Sequence, residues 1–403
     1  MPEYRMPGVF AGETGSLPPS IRGAATAVAG LVGPTRQGPL RGTPLGLSSF
    51  VEFEQHFGDA GDLVLDGRPT VNHTALATQA FFRNGGKRLF VVRTVAGVND
   101  PASAADAPLG TPTASDYAGR LDPRSGSTGL AALEAVPEVS VVLTPAAAAA
   151  DAAEHRRVIE AVRQHCQRMR HRIGLVDPHQ DDSISTLPGL ARRLDDSRLA
   201  LYFPWVVAAD PTGQRRTLPL PPSGFIAGVY ARNDHHRGVH KPPAGLAVIG
   251  ALGFTRQIDG HDQALLNPAG VNCLRSFPSR GHLVWGARTL SSSPEWRYVN
   301  IRRYLSYLEQ SIETTAEWVA HEANGEALWT RLRSTVDAFL YQEWQRGRLR
   351  AATPQEAYFV RCDRSTMTPA DIAAGRAICE VGVAPLRPAE FIVFRVVLAT
   401  ASA

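Results

Sequence analysis

The chain has 403 residues, 44% of them hydrophobic and 20% charged, which is too long for one ordinary core and far from the composition of a disordered chain. Two folded domains are expected. With 42 Lys and Arg against 38 Asp and Glu, the formal charge of +4 is too small an excess to argue for binding DNA or RNA.

Residues 1–25 carry Pro2, Pro7, Pro18 and Pro19 among four glycines, a pattern that supports neither a helix nor a core and predicts an extended arm. The opening also lacks the basic-then-apolar order of a secretory leader. No run approaches the roughly 20 apolar residues of a spanning helix, so a soluble chain folded in the cytoplasm, without membrane insertion, is expected. TAVAGLVG (26–33) reads as a buried strand, SSFVEFEQHFG (48–58) as a serine-capped helix, HTALATQAFFRNGG (73–86) as a helix stopped by glycines, and RLFVVRTV (88–95) as a strand covered on both faces. Residues 96–127 show no periodicity and read as a surface loop or insertion. VSVVLTP (139–145), RIGLVDP (172–178) and RLALYFPW (198–205) are further strands, with helical patterns at 146–170 and 183–196 between them. Strands alternating with helices predict an α/β domain over residues 26–266, a parallel sheet with helices on both faces.

Residues 267–290 hold two β-like runs around Pro278 and Gly281 and read as a hairpin opening a second, α+β domain at 267–388. Two amphipathic helices follow, with stripes Tyr298, Ile301, Leu305, Leu308, Ile312 and Leu328, Leu332, Val336, Phe339, Leu340. Thr353 and Glu356 have the spacing of a capping box. The last run, AEFIVFRVVLA (389–399), is apolar on both faces. Such a strand left at a bare edge is an aggregation template, so it is expected either inside a sheet or paired with another chain, and the proline-rich arm poses the same question.

Motifs for chemistry are scarce. No G-x-G-x-x-G, phosphate loop or G-x-S-x-G elbow is present, and no cofactor is implied. The spacings of Cys166, Cys273, Cys362 and Cys379 match neither a zinc knuckle nor C-x-x-C, and predict reduced, buried thiols. Asp234, His235, His236 and His240 offer ligand-type groups within seven residues, but Gly238 and the two following prolines oppose a shared helical face. Asp177 and Asp210 end strand-like runs and read as turn or cap residues. An α/β hydrolase or metal enzyme acting at Asp177, Asp210 or the His235 cluster is the alternative reading. The basic helix at 155–172 has a covering-helix stripe, so nucleic-acid binding ranks last.

PGVF in the arm, FFRNGGKRLFVVR, ARNDHHRGVHKPPAG and especially NPAGVNCLRSFPSRGHLVWGARTLSSSPEWRYVNIRR resemble the sheath proteins of contractile phage tails and related injection particles. FVRCDRSTMTPADIAAGR and EVGVAPLRPAEFIVFRV continue the resemblance, while the 96–127 loop and the doubled histidines depart from it. The resemblance implies a non-catalytic subunit that polymerises helically, in six-fold rings, around an inner tube and contracts to drive that tube through a target envelope. Implied partners are further copies of the chain, the tube protein, and baseplate and tail-terminator proteins. The implied α/β domain is subtilisin-like without the triad, and the implied carboxyl-terminal domain faces the tube. Terminal arms would join neighbours by strand exchange, which maps to Val9 and Phe10, and to Phe391, Ile392, Val393, Phe394, Arg395, Val396 and Val397 within a terminal segment 389–403. Arg302, Arg303, Arg331 and Arg333, on the polar sides of the two helices, are the expected tube contacts.

Overall fold

The computed structural model describes residues 20–96, 109–315, 319, 322–386 and the backbone of 392–399. It divides into two compact units, one formed by Gly23–Gln310 and the other by the chain on either side of that stretch.

The Gly23–Gln310 unit is built on an eight-stranded sheet. Its middle is parallel. β1 (Val28–Gly33) pairs on one side with β5 (Arg88–Arg93) and on the other with β6 (Val141–Leu143), and β7 (Ile173–Val176), β8 (Leu199–Phe203) and β12 (Val271–Phe277) continue outward from β6. Antiparallel strands close both edges: β2 (Leu45–Leu47) on β5, and β13 (Gly281–Val284) on β12. The hairpin β3 (Leu63–Leu65) and β4 (Arg68–Thr70) stands apart, as does a small sheet of β9 (Val206–Ala209), β10 (Thr217–Leu220) and β11 (Ala251–Phe254).

Strand alternation divides β1 between two cores, as a sheet covered on both faces requires. Ala29 and Leu31 enter one core with Phe53 of α1 (Phe50–Phe57), Phe81 of α2 (His73–Arg83) and Ile226 of α7 (Ser223–His236). Val28 and Val32 enter the other with Tyr117 of α3 (Ala114–Ala118), Leu130 of α4 (Gly129–Ala132), Val158 of α5 (Ala152–Met169), Leu187 of α6 (Leu187–Leu194) and Leu266 of α8 (Gly260–Leu266). Local chemistry fixes the helix starts. The Ser49 hydroxyl accepts from the Glu52 N–H, and the Asp151 carboxylate accepts from the N–H groups of Ala153 and Glu154.

The hairpin expected at 267–290 forms as β12 and β13, but it extends the large sheet alongside β8, so the boundary expected at 266/267 does not fall there. The surface loop or insertion expected at 96–127 contains a short helix that composition did not show. Thr113 and Asp116 form a capping box that opens α3, whose Tyr117 is buried. Residues 97–108 lie outside the described residues.

The second unit contains α10 (Glu326–Gln345), α11 (Pro354–Ala357), α12 (Pro369–Ala373) and a three-stranded antiparallel sheet. Its strands are β14 (Tyr358–Arg361), β15 (Arg376–Val383) and β16 (Ile392–Ala399), with β15 in the middle. The expected Thr353 capping box does not form: Thr353 precedes α11, yet its side chain makes no cap hydrogen bond, and Pro354 pre-sets the turn instead.

Helices α2 and α7 meet backbone to backbone. A Cβ added at Gly228 would stand 2.4 Å from the Phe81 carbonyl oxygen, and one at Gly224 would stand 2.6 Å from Ala77 Cα. Neither neighbour is a flexible side chain, so space must come from moving the helices apart. Gly228→Ala is therefore expected to destabilise the protein by about 1–3 kcal/mol, seen as a lower denaturant midpoint with an unchanged slope.

Candidate assembly interface

The β14–β15–β16 sheet arises from sequence that favours strands: YFVR, RAICEVGV and IVFRVVLA are rich in β-branched and aromatic residues. β15 is buried along most of its length. It is paired on both sides, from Tyr358↔Val383 to Arg361↔Glu380 with β14, and from Arg376↔Ala399 to Val383↔Ile392 with β16. Gly382 faces Phe359, whose ring fills the place of the missing side chain: an added Cβ would lie 2.2 Å from Phe359 Cε1. No strand among the described residues covers the outer edge of β14 or of β16. Ser20 and Ile21, where description of the amino-terminal segment begins, line a groove with Thr335, Phe339 and Gln342 of α10.

Ile392, Val393, Phe394, Arg395, Val396 and Val397 all lie in β16, on β15 of the same chain. Val9, Phe10 and Phe391 lie outside the described residues. The sequence placed Arg302 and Arg303 on the polar side of a helix open to solvent; this is corrected. They sit on α9 (Val299–Thr315), which is buried all round through Glu309 because its polar side is covered as well as its apolar stripe. The Arg303 guanidinium grips Asp234 with two hydrogen bonds, of 2.6 and 3.1 Å, donates to the Thr26 carbonyl at 2.8 Å and stacks 4.6 Å over the Tyr230 ring. Arg302 lies 4.2 Å over Trp296 and pairs with Glu309 at 3.3 Å; burial pulls its pKa down to about 10 against the pull of that carboxylate. Of the other two arginines, Arg331 on α10 is partly exposed and pairs with Glu322 at 3.1 Å, and Arg333 is exposed.

The residues of the enzymatic alternative have structural occupations. Both oxygens of Asp177 accept from Ser223, one from its N–H at 2.7 Å and one from its hydroxyl at 2.5 Å, which ties β7 to the start of α7. Burial pushes this carboxyl up to about 7 against those two bonds. Asp210 organises a turn by accepting from Thr212 and Arg215. The histidine cluster does not converge. Asp234 is held by Arg303, the His240 ring faces Tyr304, and His235 and His236 are exposed at the end of α7. The spacing that suggested metal ligands at 234–240 thus conceals an anchor for α9, which no local pattern reveals because its partner lies 69 residues away.

With this architecture in place, comparison with known proteins assigns the class. The family model described as the phage tail sheath protein central domain matches residues 110–290, and that described as the phage tail sheath C-terminal domain matches residues 291–399. The chain belongs to the phage tail sheath protein family. It is 24% identical over 212 residues to a prophage major tail sheath protein of Pseudomonas aeruginosa (strain UCBPP-PA14), across 51% of this chain and 53% of that one. It is 28% identical over 126 residues to the tail sheath protein of Vibrio phage KVP40, across 30% of this chain and 19% of that one. These matches span about half or less of the relatives' own length. Among solved structures, the contracted helical sheath of the anti-feeding prophage is 29% identical with a TM-score of 0.72, covering 97% of this chain and 98% of that one. The contracted sheath of PVC, an extracellular contractile injection system, is 27% identical with a TM-score of 0.71, covering 98% of each chain. A sheath tail protein of Desulfitobacterium hafniense shares the fold at 13% identity and a TM-score of 0.62, covering 97% of this chain and 100% of that one. The protein is thus a structural sheath subunit of the kind found in contractile phage tails and tail-like injection systems.

The Arg303–Asp234 pair is almost wholly buried, with side-chain exposures of 5% and 2%. Removing the cation strands a carboxylate in the interior. Arg303→Ala is expected to cost about 3–5 kcal/mol in equilibrium unfolding, and Arg303→Lys to recover only part of it, because an ammonium cannot reproduce the forked contact.

Proposed function

We propose that copies of this chain polymerise helically around an inner tube, joined by strand exchange, and that contraction of the polymer drives the tube through a target envelope. In the exchanged form, residues 392–399 of one copy occupy on a neighbour's β15 the register they take on their own. The observation that carries this reading is the β15–β16 pairing itself, an eight-residue antiparallel ladder whose backbone bonds are indifferent to which chain supplies the strand. The connection supports it too. Residues 384–391 separate the two strands, longer than a tight hairpin needs and able to span roughly 25–30 Å when extended. The arm around Val9 and Phe10 would add to a neighbour in the same way, and both sheet edges left open among the described residues suit such an addition.

Backbone ladders of this kind keep subunits connected while their bodies exchange one packing for another of lower free energy. The motion then draws on free energy stored at assembly, and needs no nucleotide in the act. Tube, baseplate and tail-terminator proteins are the partners of this reading. Arg331 and Arg333 on α10 remain candidates for a tube contact weak enough to release; Arg302 and Arg303 do not, being committed inside the fold.

Strand register supplies a test. Successive residues of β15 turn their backbone groups alternately to β14 and β16, and Ala384 donating to the Ala357 carbonyl fixes the phase. By that alternation Glu380 and Arg395 form a non-hydrogen-bonded pair, with Cα atoms roughly 4.5 Å apart and suited to a disulfide. In polymers of the Glu380→Cys, Arg395→Cys variant, oxidation should give a covalent ladder of multimers on non-reducing gels, with the linkage mapped to 380 and 395. Linked monomers alone, from intact polymers, would overturn strand exchange.

A further inference from the structure

The four cysteines are free thiols and all are buried, but they are not equivalent. Cys166 and Cys273 lie in the core of the large sheet. Cys362 and Cys379 face each other across β14 and β15: the register ends at Arg361↔Glu380, and the next pair along it is Cys362 opposite Cys379. The bond from the Ala384 N–H to the Ala357 carbonyl makes every second pair non-hydrogen-bonded, and 362/379 is one of these. Such pairs bring Cα atoms to roughly 4.5 Å, inside the range of about 4.4–6.8 Å that a disulfide spans but at its short end. The two thiols already share a hydrogen bond.

We propose that Cys362 and Cys379 form a redox site, a dithiol that a small disulfide oxidant converts to a cross-strand disulfide stapling β14 to β15. Their spacing of 17 residues hides this pair in the sequence, because the intervening chain is folded back by α12 and its own contacts. The Thr366 hydroxyl donates to the Ile378 carbonyl at 2.8 Å, and Arg376 pairs with Asp371 at 2.7 Å, so the ends of the loop are held together before any covalent bond forms.

The pair is asymmetric. The hydrogen bond from Cys379 holds Cys362 below the usual thiol range against burial and the neighbouring Asp363 carboxylate, with a smaller contribution from the Arg333 guanidinium, whereas Cys379 is pushed up. Cys362 is buried but stands just past the last pair of β14, beside the turn with exposed Arg364 and Ser365, so a local opening of that turn would expose it to a small reagent. It is the attacking sulfur. The Cys362 thiolate displaces one thiolate from an oxidised-glutathione-type disulfide, and Cys379, losing its proton to that leaving group, displaces the second from the mixed disulfide. Two protein thiols are oxidised by two electrons and the small disulfide is reduced to two thiols. The mechanical consequence, a receiving sheet that holds its register under load, rests on the strand-exchange reading; the chemistry does not.

The test uses the full-length wild-type protein, equilibrated in oxidised or reduced glutathione, then denatured and alkylated. Oxidation should remove two of the four alkylatable thiols and give a 362–379 linked peptide. It should also raise the melting temperature by about several degrees, reversibly with reductant, since the closed loop constrains the unfolded chain. Four alkylatable thiols after oxidation, or a mapped linkage with no rise in melting temperature, would overturn the proposal. Because both readings come from one wild-type sample in two redox states, no variant has to fold; the thiol count and linkage map hold for monomer and polymer alike, and the melting temperatures are compared at one protein concentration and assembly state.

Discussion

Strand β15 has to be hydrogen-bonded along both of its edges. It is buried along most of its length, so a backbone group on it that loses its partner has little access to water, and each such loss costs about 1–3 kcal/mol. β14 covers only four positions on one side, whereas β16 covers all eight on the other. The C-terminal strand is therefore the larger part of what completes this sheet. Nothing in a backbone ladder ties the completing strand to the chain that receives it, and the proposed strand exchange draws on that indifference: the sheet is three-stranded only with residues 392–399 in place.

The Gly23–Gln310 unit is organised on a different principle. Its parallel strands are buried on both faces, α2 and α7 touch backbone to backbone at Gly224 and Gly228, and buried charge is held by specific partners, Arg303 by Asp234, Arg302 by Glu309 and Arg172 by the Leu133 and Val136 carbonyls. Close packing of this kind resists gradual deformation. Solved sheaths to which this chain is similar are seen in contracted assemblies, and a unit packed this way suits the contraction proposed above. The carboxylates that invited an enzymatic reading, Asp177 and Asp210, serve the same rigidity by tying a strand end to a helix start and by closing a turn.

Much of this was legible in the sequence where the determinant is local. The runs 28–33, 88–93, 141–143, 173–176 and 199–203 are short and apolar on both faces, and the glycine stop after α2 and the serine cap on α1 carry their own chemistry. What was not legible depends on distant partners. Whether the 271–284 hairpin opens a new domain or extends an old sheet is decided by the edge of β8, some 70 residues earlier. The Arg302 and Arg303 positions fall off the apolar stripe of α9, so periodicity assigns them to solvent, and only Asp234 and Glu309 reveal that the other side of the helix is covered too. Thr113 and Asp116 did carry a local signal, a capping box inside residues that composition alone marks as loop. In the carboxyl-terminal sheet, sequence marked the apolar run 389–399 as a strand that cannot stand alone, and the structure adds the register of 392–399 on β15; the cross-strand thiols became visible only with the register of β14 and β15 in hand.

The most direct measurement is a cryo-EM map of the assembled polymer at a resolution that follows the main chain from Pro385 through Ala399. Strand exchange predicts density leaving one subunit after Pro385 and entering the sheet of the next, so that each β15 is flanked by its own β14 and by residues 392–399 of a neighbour. Continuous density returning to the same subunit's β15 in every copy would contradict it.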